Sequence, residues 1–222
     1  MKLNIVLIDK ITMSNFEELF QTLERMQNED AQQRLDKLPR EIRWRSIDRD
    51  TAEFITLFAR SINARNIVEI GTSQGYSTIW LGLVAKANDG KVISFEIDEK
   101  RVIIAQSNIM DAGLDQYVEI IHGDPRENIN LLPKSIDLLF LDAEKDDYLA
   151  HFIKLFDNIR EGGSIVADNA ISHFADLREY INHVRLHPQC NSVLIPLGRG
   201  IELTLKRPIN DSSLAPWNDL IR

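Results

Sequence analysis

Short apolar runs return along this chain, and helical spacing fills most of the intervals between them. The runs are NIVEI (66–70), KVISFE (91–96), YVEII (117–121), IDLLFL (136–141) and GSIVA (163–167). Runs this short, rich in Val, Ile and Leu, read as buried strands. Apolar residues at three- and four-residue spacing predict helices over 50–62, 77–87, 99–112, 148–159 and 174–184. Gly113 is placed to stop the third of these. Such alternation dictates a parallel sheet with helices on both faces. Two further strands, 192–195 and 201–205, flank the turn GRG (198–200), so the last strand runs antiparallel and the sheet has seven strands. The segment 14–38 carries Phe16, Leu19, Phe20, Leu23 and Met26 at helical spacing. It is expected to pack on the domain or on a twin subunit. No repeat, low-complexity tract or linker interrupts the chain. Residues 1–222 are therefore expected to form one domain, with 1–48 as a helical extension that caps the substrate side.

The net charge of −8 disfavours generic binding to nucleic acid, which selects a basic excess. Cys190 is the one cysteine; it excludes an internal disulfide and a thiolate zinc site, and fits a reducing compartment. With no base in its sequence neighbourhood it reads as a buried structural thiol. The apolar run before Asp9 is shorter than a signal-peptide core, and no window approaches a membrane span. The expected location is the cytoplasm.

Ligands of open α/β sheets bind at the carboxyl ends of the strands. The first such end reads VEIGTSQGYS (68–77). Gly71 and Gly75 permit tight turns, and Ser77 is placed to open the next helix. The middle glycine of a dinucleotide fingerprint is missing, so a ligand with an amino-acid end fits better than a pyrophosphate. Glu69 precedes the loop. Glu96 ends the second strand, where a carboxylate can accept both hydroxyls of a ribose; Asp124 ends the third, within reach of an adenine edge. The fourth end, LLFLDAEKDDYLA (138–150), passes abruptly from apolar to charged residues. Either it is a solvated charge cluster or a site is built there. The stretch REIRWRSIDR (40–49) also has two readings. Arg40, Arg43, Arg45 and Arg49 around Trp44 suit an anionic or aromatic substrate, and equally suit a solvated surface paired with Glu41 and Asp48. His122 reads as a strand-end residue.

VEIGTSQGYSTIWLG, DGKVISFEID, FLDAEKDDY and GGSIVADN, in that order, resemble the cation-dependent class I O-methyltransferases, the family of catechol and caffeoyl-CoA methyltransferases. The resemblance runs from about residue 50 to 205. It implies a Rossmann-like, doubly wound, mostly parallel sheet and S-adenosylmethionine as methyl donor. By it, Glu69, Gly71, Thr72, Ser73, Gly75, Tyr76, Ser77 and Asp142 surround the donor's methionine end. Glu96 holds the ribose, and Ile97, Asp124 and Pro125 lie at the adenine. It further implies that Asp142, Asp168 and Asn169 bind a divalent cation, that Lys145 acts on the acceptor hydroxyl, and that the protein is a homodimer. Elementary chemistry supports the cation: adjacent strand tips lie about 5 Å apart, and an all-oxygen ligand set selects Mg²⁺ ahead of Mn²⁺ or Ca²⁺. A phenol titrates near pH 10, so a Lewis acid is needed to stabilise its phenolate, and a lysine beside a cation is pushed toward the neutral base.

The expected acceptor is a small vicinal-hydroxyl aromatic. The alternatives are a hydroxylated uridine in tRNA, or donor binding without catalysis. Departures from the family pattern fall at Glu144, at AISHF (170–174) and at Arg199, around the acceptor. Trp44, Arg43, His173 and Arg199 are its candidate contacts, while Asp146 and Asp147 read as solvent-facing acids.

Overall fold

The structure is a computed structural model that describes residues 2–208, with side chains from residue 17 onward. Seven strands form one sheet in the order β3-β2-β1-β4-β5-β7-β6. They are β1 (Asn66–Ile70), β2 (Lys91–Glu96), β3 (Val118–His122), β4 (Ile136–Leu141), β5 (Ile159–Asp168), β6 (Cys190–Ile195) and β7 (Ile201–Lys206). All neighbours pair in parallel except β7, which is antiparallel to both β5 and β6. The order reverses between β1 and β4, and a crevice opens at such a switch point.

Side-chain alternation along β4 divides the core in two. Leu138 and Phe140 join Ile67, Val92 and Val166 beneath α2 (Arg49–Ser61) and α3 (Tyr76–Asn88). Leu139 and Leu141 join Ile165 and Ala167 beneath α5 (Tyr148–Leu155) and α6 (Phe174–Leu186). Both faces of β4 are thus covered, which is why its sequence shows no polar alternation. Helix α4 (Glu99–Asp111) starts on an Asp98 side chain that accepts from the backbone N–H groups of Lys100 and Arg101, and stops just before Gly113 (φ +65°).

The structure corrects several boundaries. Helix α1 (Lys2–Leu35) begins well before the expected position 14 and stops short of 38, at a turn with Lys37 at φ +53°. Leu19, Leu23 and Met26 are buried as expected, but Phe20 is 56% exposed; the side chain of Phe16 lies outside the described residues. Helix α5 ends at Leu155, and a single 3-10 turn (Phe156–Asn158) leads straight into β5. Strand β5 begins at Ile159, ahead of the expected 163, and passes through the Gly162-Gly163 pair. A register shift against β4, between Ile136 and Leu138, accommodates the pair, with Gly162 at φ +75°. Ser77 does not cap α3; Gly75, at φ +91°, occupies the N-cap.

Candidate active site

A cavity of about 750 Å³ opens above the carboxyl ends of β1, β2, β4 and β5. Its floor is the β1–α3 loop. The N–H groups of Gly71 and Thr72 both donate to Phe95 O, at 2.9 and 3.2 Å, binding the loop to β2. Gly71 sits at φ +103°, and a Cβ there would lie 2.4 Å from Asp142 O. The space a side chain would need is filled by the backbone at the end of β4. Glu96 is buried, and its carboxylate accepts three backbone N–H groups, from Ser73 (2.7 Å), Ile97 (3.0 Å) and Asp98 (3.0 Å). Its position is therefore fixed before any ligand arrives. Tyr76 lines the cavity and accepts at its hydroxyl from Gln27 of α1, at 2.6 Å.

Glu69 does not line the cavity; it lies beneath the floor, fully buried. Asp168 shares both properties, being absent from the lining and buried. The Glu69 Oε2 accepts from Thr78 Oγ1 (2.5 Å) and Ser94 Oγ (2.6 Å), and Ser94 Oγ lies 2.6 Å from Thr72 Oγ1. One carboxyl thus connects β1, β2, the loop and α3. Burial raises its pKa to about 7, against the pull of Ser77, Ser94 and Thr78.

Asp124 reaches the far wall beside Pro125 and the mostly exposed Ile97. Its carboxylate is already engaged by Arg126, whose Nη2 lies 2.5 Å from Oδ2. Burial works against ionisation of Asp124, but Arg126 outweighs it and holds the group below its ordinary range. The same guanidinium donates to Asp147 Oδ1 at 2.7 Å, so Asp147 is a bridged wall residue rather than a solvent-facing acid. Asp146 is exposed, as expected.

The opposite wall gathers the tips of β4 and β5. Asn169 Nδ2 lies 2.9 Å from Asp142 Oδ1 and 2.8 Å from Asp168 Oδ2, donating to both. Lys145 Nζ donates to the same Asp142 Oδ1 at 3.0 Å, to Ala143 O at 2.8 Å and to Tyr148 Oη at 3.0 Å. Asn169 adopts a left-handed backbone (φ +72°), unusual outside glycine. The β6–β7 turn holds it there: Ala170 N donates to Gly200 O at 2.8 Å, and Ile171 N and Ser172 N to Arg199 O at 3.0 Å. Asp168 Oδ1 is buried with no hydrogen-bond partner. Burial, then the charge of Asp142, raises the Asp168 pKa to about 7. Two carboxylates and one side-chain amide thus crowd a single point, with a buried oxygen unpartnered and an amide wedged between the acids. These residues fit a hard divalent cation, which would satisfy that oxygen and relieve the repulsion.

Residues 40–46 roof the cavity. Ser73 Oγ donates to Trp44 O at 2.6 Å, and Arg101 Nη2 donates to Glu41 O (2.8 Å) and Arg43 O (3.2 Å). Arg45 reaches Glu144 at 2.7 Å and Arg40 reaches it at 3.8 Å. Arg43, Trp44, His173 and Arg199 all line the space; Arg49 does not, and pairs with Glu53 at 2.8 Å on α2. The His173 imidazole is held below its ordinary value by partial burial, then by Lys145 and Arg40, with Arg199 adding to them. Arg101, Arg126, His151 and Ser172 also belong to the lining and were missed in the sequence. The only signal for Arg126 and His151 is their place shortly after a strand-end acid. His122 Nε2 donates to Ile97 O (3.1 Å), a strand-end role as expected. Cys190 is buried, and although His187 Nδ1 lies 3.6 Å from its sulfur, burial pushes the thiol up to about 12. An imidazole is thus close to it after all, without producing a nucleophile. No described helix is long and apolar enough to cross a membrane.

The O-methyltransferase family profile matches residues 18–207. A catechol O-methyltransferase from Niastella koreensis is 38% identical over 133 residues, 57% of this chain and 58% of that protein. A caffeoyl-CoA O-methyltransferase from Medicago sativa is 28% identical over 178 residues, 69% of this chain and 72% of that protein. The solved structure of an O-methyltransferase from Bacillus cereus in complex with SAH superposes with a TM-score of 0.72 at 27% identity, covering 84% of this chain and 91% of that one.

Proposed function

The chain belongs to the O-methyltransferase family, and from that membership we propose that it moves a methyl group from S-adenosylmethionine to one hydroxyl of a small vicinal-hydroxyl aromatic, with the aid of a divalent cation. The observation that carries the reading is the meeting of Asp142, Asp168, Asn169 and Lys145 at one wall, joined to the glycine floor through the Gly71–Asp142 contact.

Bound S-adenosylmethionine supplies an electrophilic methyl, and a cation held by Asp142, Asp168 and Asn169 supplies Lewis acidity toward an aryl hydroxyl. The chain's own residues do the rest. The 71–77 loop receives the methionine end, and the first-turn N–H groups of α3, which have no partner within the helix, are there to meet it. Glu96, with its position set by three N–H donors, keeps one lone pair, on Oε2, for a ribose hydroxyl. Lys145 sits where it can take the hydroxyl proton once it has released one of its own to solvent, since the three hydrogen bonds it now donates leave it no lone pair. Gly71 sets the distance between the two halves, and fixed distance is a large part of what such a transfer requires. Mg²⁺ is the expected ion, from the all-oxygen ligands. Residues 1–48 act as the substrate-side cap of a single domain, a reading supported by the contacts from the roof to Ser73, Arg101 and Glu144.

The test is release of demethylated donor with catechol as acceptor, in Mg²⁺ and in excess EDTA. Turnover that depends on the ion is expected. Full turnover in EDTA would remove the cation from the reading, and no turnover across a catechol panel would remove the acceptor class.

A further inference from the structure

Most cations around the cavity face a carboxylate. Arg34 pairs with Asp30 at 2.6 Å, Arg45 with Glu144 at 2.7 Å, Lys145 with Asp142 at 3.0 Å, and Arg126 with Asp124 and Asp147. Arg43, on the roof, and Arg199 differ: among the described residues no carboxylate lies within 4.0 Å of either guanidinium. The Arg199 Nη2 donates to the backbone oxygen of Ser46 at 3.2 Å. Arg199 lines the cavity, and its backbone oxygen accepts from Ile171 N and Ser172 N, directly after the proposed ligand Asn169, which puts it on the acceptor wall. Arg40, Lys145 and His173 line the same space.

With the proposed ion in place, Asp142, Asp168 and Glu144 face Arg40, Arg45, Lys145, Arg199 and two charges on the cation. The sulfonium donor adds another. A neutral diol that gives up one proton leaves this wall strongly positive. We infer that Arg199, flanked by His173 and Arg40, binds a carboxylate on the acceptor, so that the substrate is a dihydroxylated aromatic acid rather than a neutral catechol. A planar carboxylate matches the forked donors of a guanidinium, and a charge-assisted pair in a partly enclosed site discriminates strongly against an uncharged isostere. This inference rests on the methyl-transfer reading above.

The probe pair is 3,4-dihydroxybenzoate and its methyl ester, which keep the same diol and differ in the charge. With Mg²⁺ and donor present, KM for the acid should be about tenfold or more below KM for the ester, the margin typical of a charge-assisted hydrogen-bonded pair. Arg199→Ala should bring the ratio to about one. Arg199→Lys, which keeps the charge and loses the fork, should fall between, and checks that the alanine variant has not merely misfolded. Equal KM values for the wild type, or a preference that survives in Arg199→Ala, would overturn the carboxylate site and leave methyl transfer standing. If neither compound turns over, calorimetric titration decides the question. Binding of the acid tenfold tighter than the ester, lost in Arg199→Ala, keeps the Arg199 site while methyl transfer to catechols falls. Equal or absent binding overturns the site.

Discussion

Two buried carboxyl groups, Glu69 under the glycine floor and Asp168 at the tip of β5, carry the same raised pKa of about 7, with burial as the first cause of both. Their surroundings are opposite in kind. Glu69 is met by the hydroxyls of Thr78 and Ser94, neutral donors that oppose the effect of burial, and its Oε1 is buried without a partner. Asp168 is met by a second acid, Asp142, and by one amide pressed between the two. Neutral hydroxyls drawn from several elements suit a group that ties strands together. Paired acids suit a group that must ionise when a positive partner arrives. Equal pKa values thus mark a structural link in one place and a candidate metal ligand in the other, and the contacts, not the values, separate them.

Replacing each group separates them most sharply. Asp168→Ala removes one of the proposed ligands and should lower Mg²⁺-stimulated turnover on the order of 100-fold or more, the scale of losing a main electrostatic stabiliser of transition-state charge. Donor affinity, read by titration with the demethylated donor, should change little, because the floor from Gly71 to Ser77 does not touch Asp168. Undiminished turnover in this variant would make Asp168 no more than a second Glu69.

The strands were legible because nothing competes with a run of Val, Ile and Leu once both faces of the sheet are covered; β1, β2 and β4 fall where the runs predict. The pair Gly162-Gly163 misled because glycine marks a turn and a bulge alike, and only the partner strand tells which. The strand-tip acids were readable from their position at the ends of apolar runs. That Glu69 shares the sheet face of Ile67 follows from strand alternation, since its neighbours Val68 and Ile70 pack in the opposite core. A stricter use of the two-residue period would have placed it. Arg126 and Arg199 could not be read in this way. Their roles depend on which acids lie near them across the fold, Asp124 and Asp147 for one and, among the described residues, no carboxylate for the other.

Adding the cation tests the Asp168 half of the comparison without mutation. Protons compete with Mg²⁺ for Asp168 below its raised pKa of about 7. The rise in Tm caused by the ion should therefore be larger at pH 8 than at pH 6. At an ion concentration about 100 times Kd, linkage gives about 2.7 kcal/mol, or roughly 5–10 °C for a chain of this size. The measurement is thermal unfolding at both pH values with and without Mg²⁺. A shift that is absent, or larger at pH 6, would place the ion elsewhere or nowhere.

The smallest effect belongs to Glu69, and its sign is set by the direction of the shift. The folded protein holds this proton up to about pH 7, whereas the unfolded chain releases it near the ordinary value of 4.5. Between those values the native state binds the extra proton, so stability is greatest below the lower one, falls as pH rises, and levels off above the higher one. From pH 6 to 7 the loss is about 1 kcal/mol, or roughly 2–4 °C in Tm. Saturating Mg²⁺ keeps Asp168 ionised across this window, and His151, His173 and His187, all held below their ordinary value, titrate alike in wild type and variant, so the difference in slope between the two is that of Glu69. Glu69→Gln keeps an oxygen for the hydroxyls of Thr78 and Ser94 and removes the titration. Its absolute Tm should drop somewhat, since the new amide N–H groups need buried acceptors, but the line from pH 6 to 7 should flatten. Wild type and variant running parallel would mean that Glu69 is already ionised in the fold, and the contrast with Asp168 would then have to be drawn from hydrogen bonding alone.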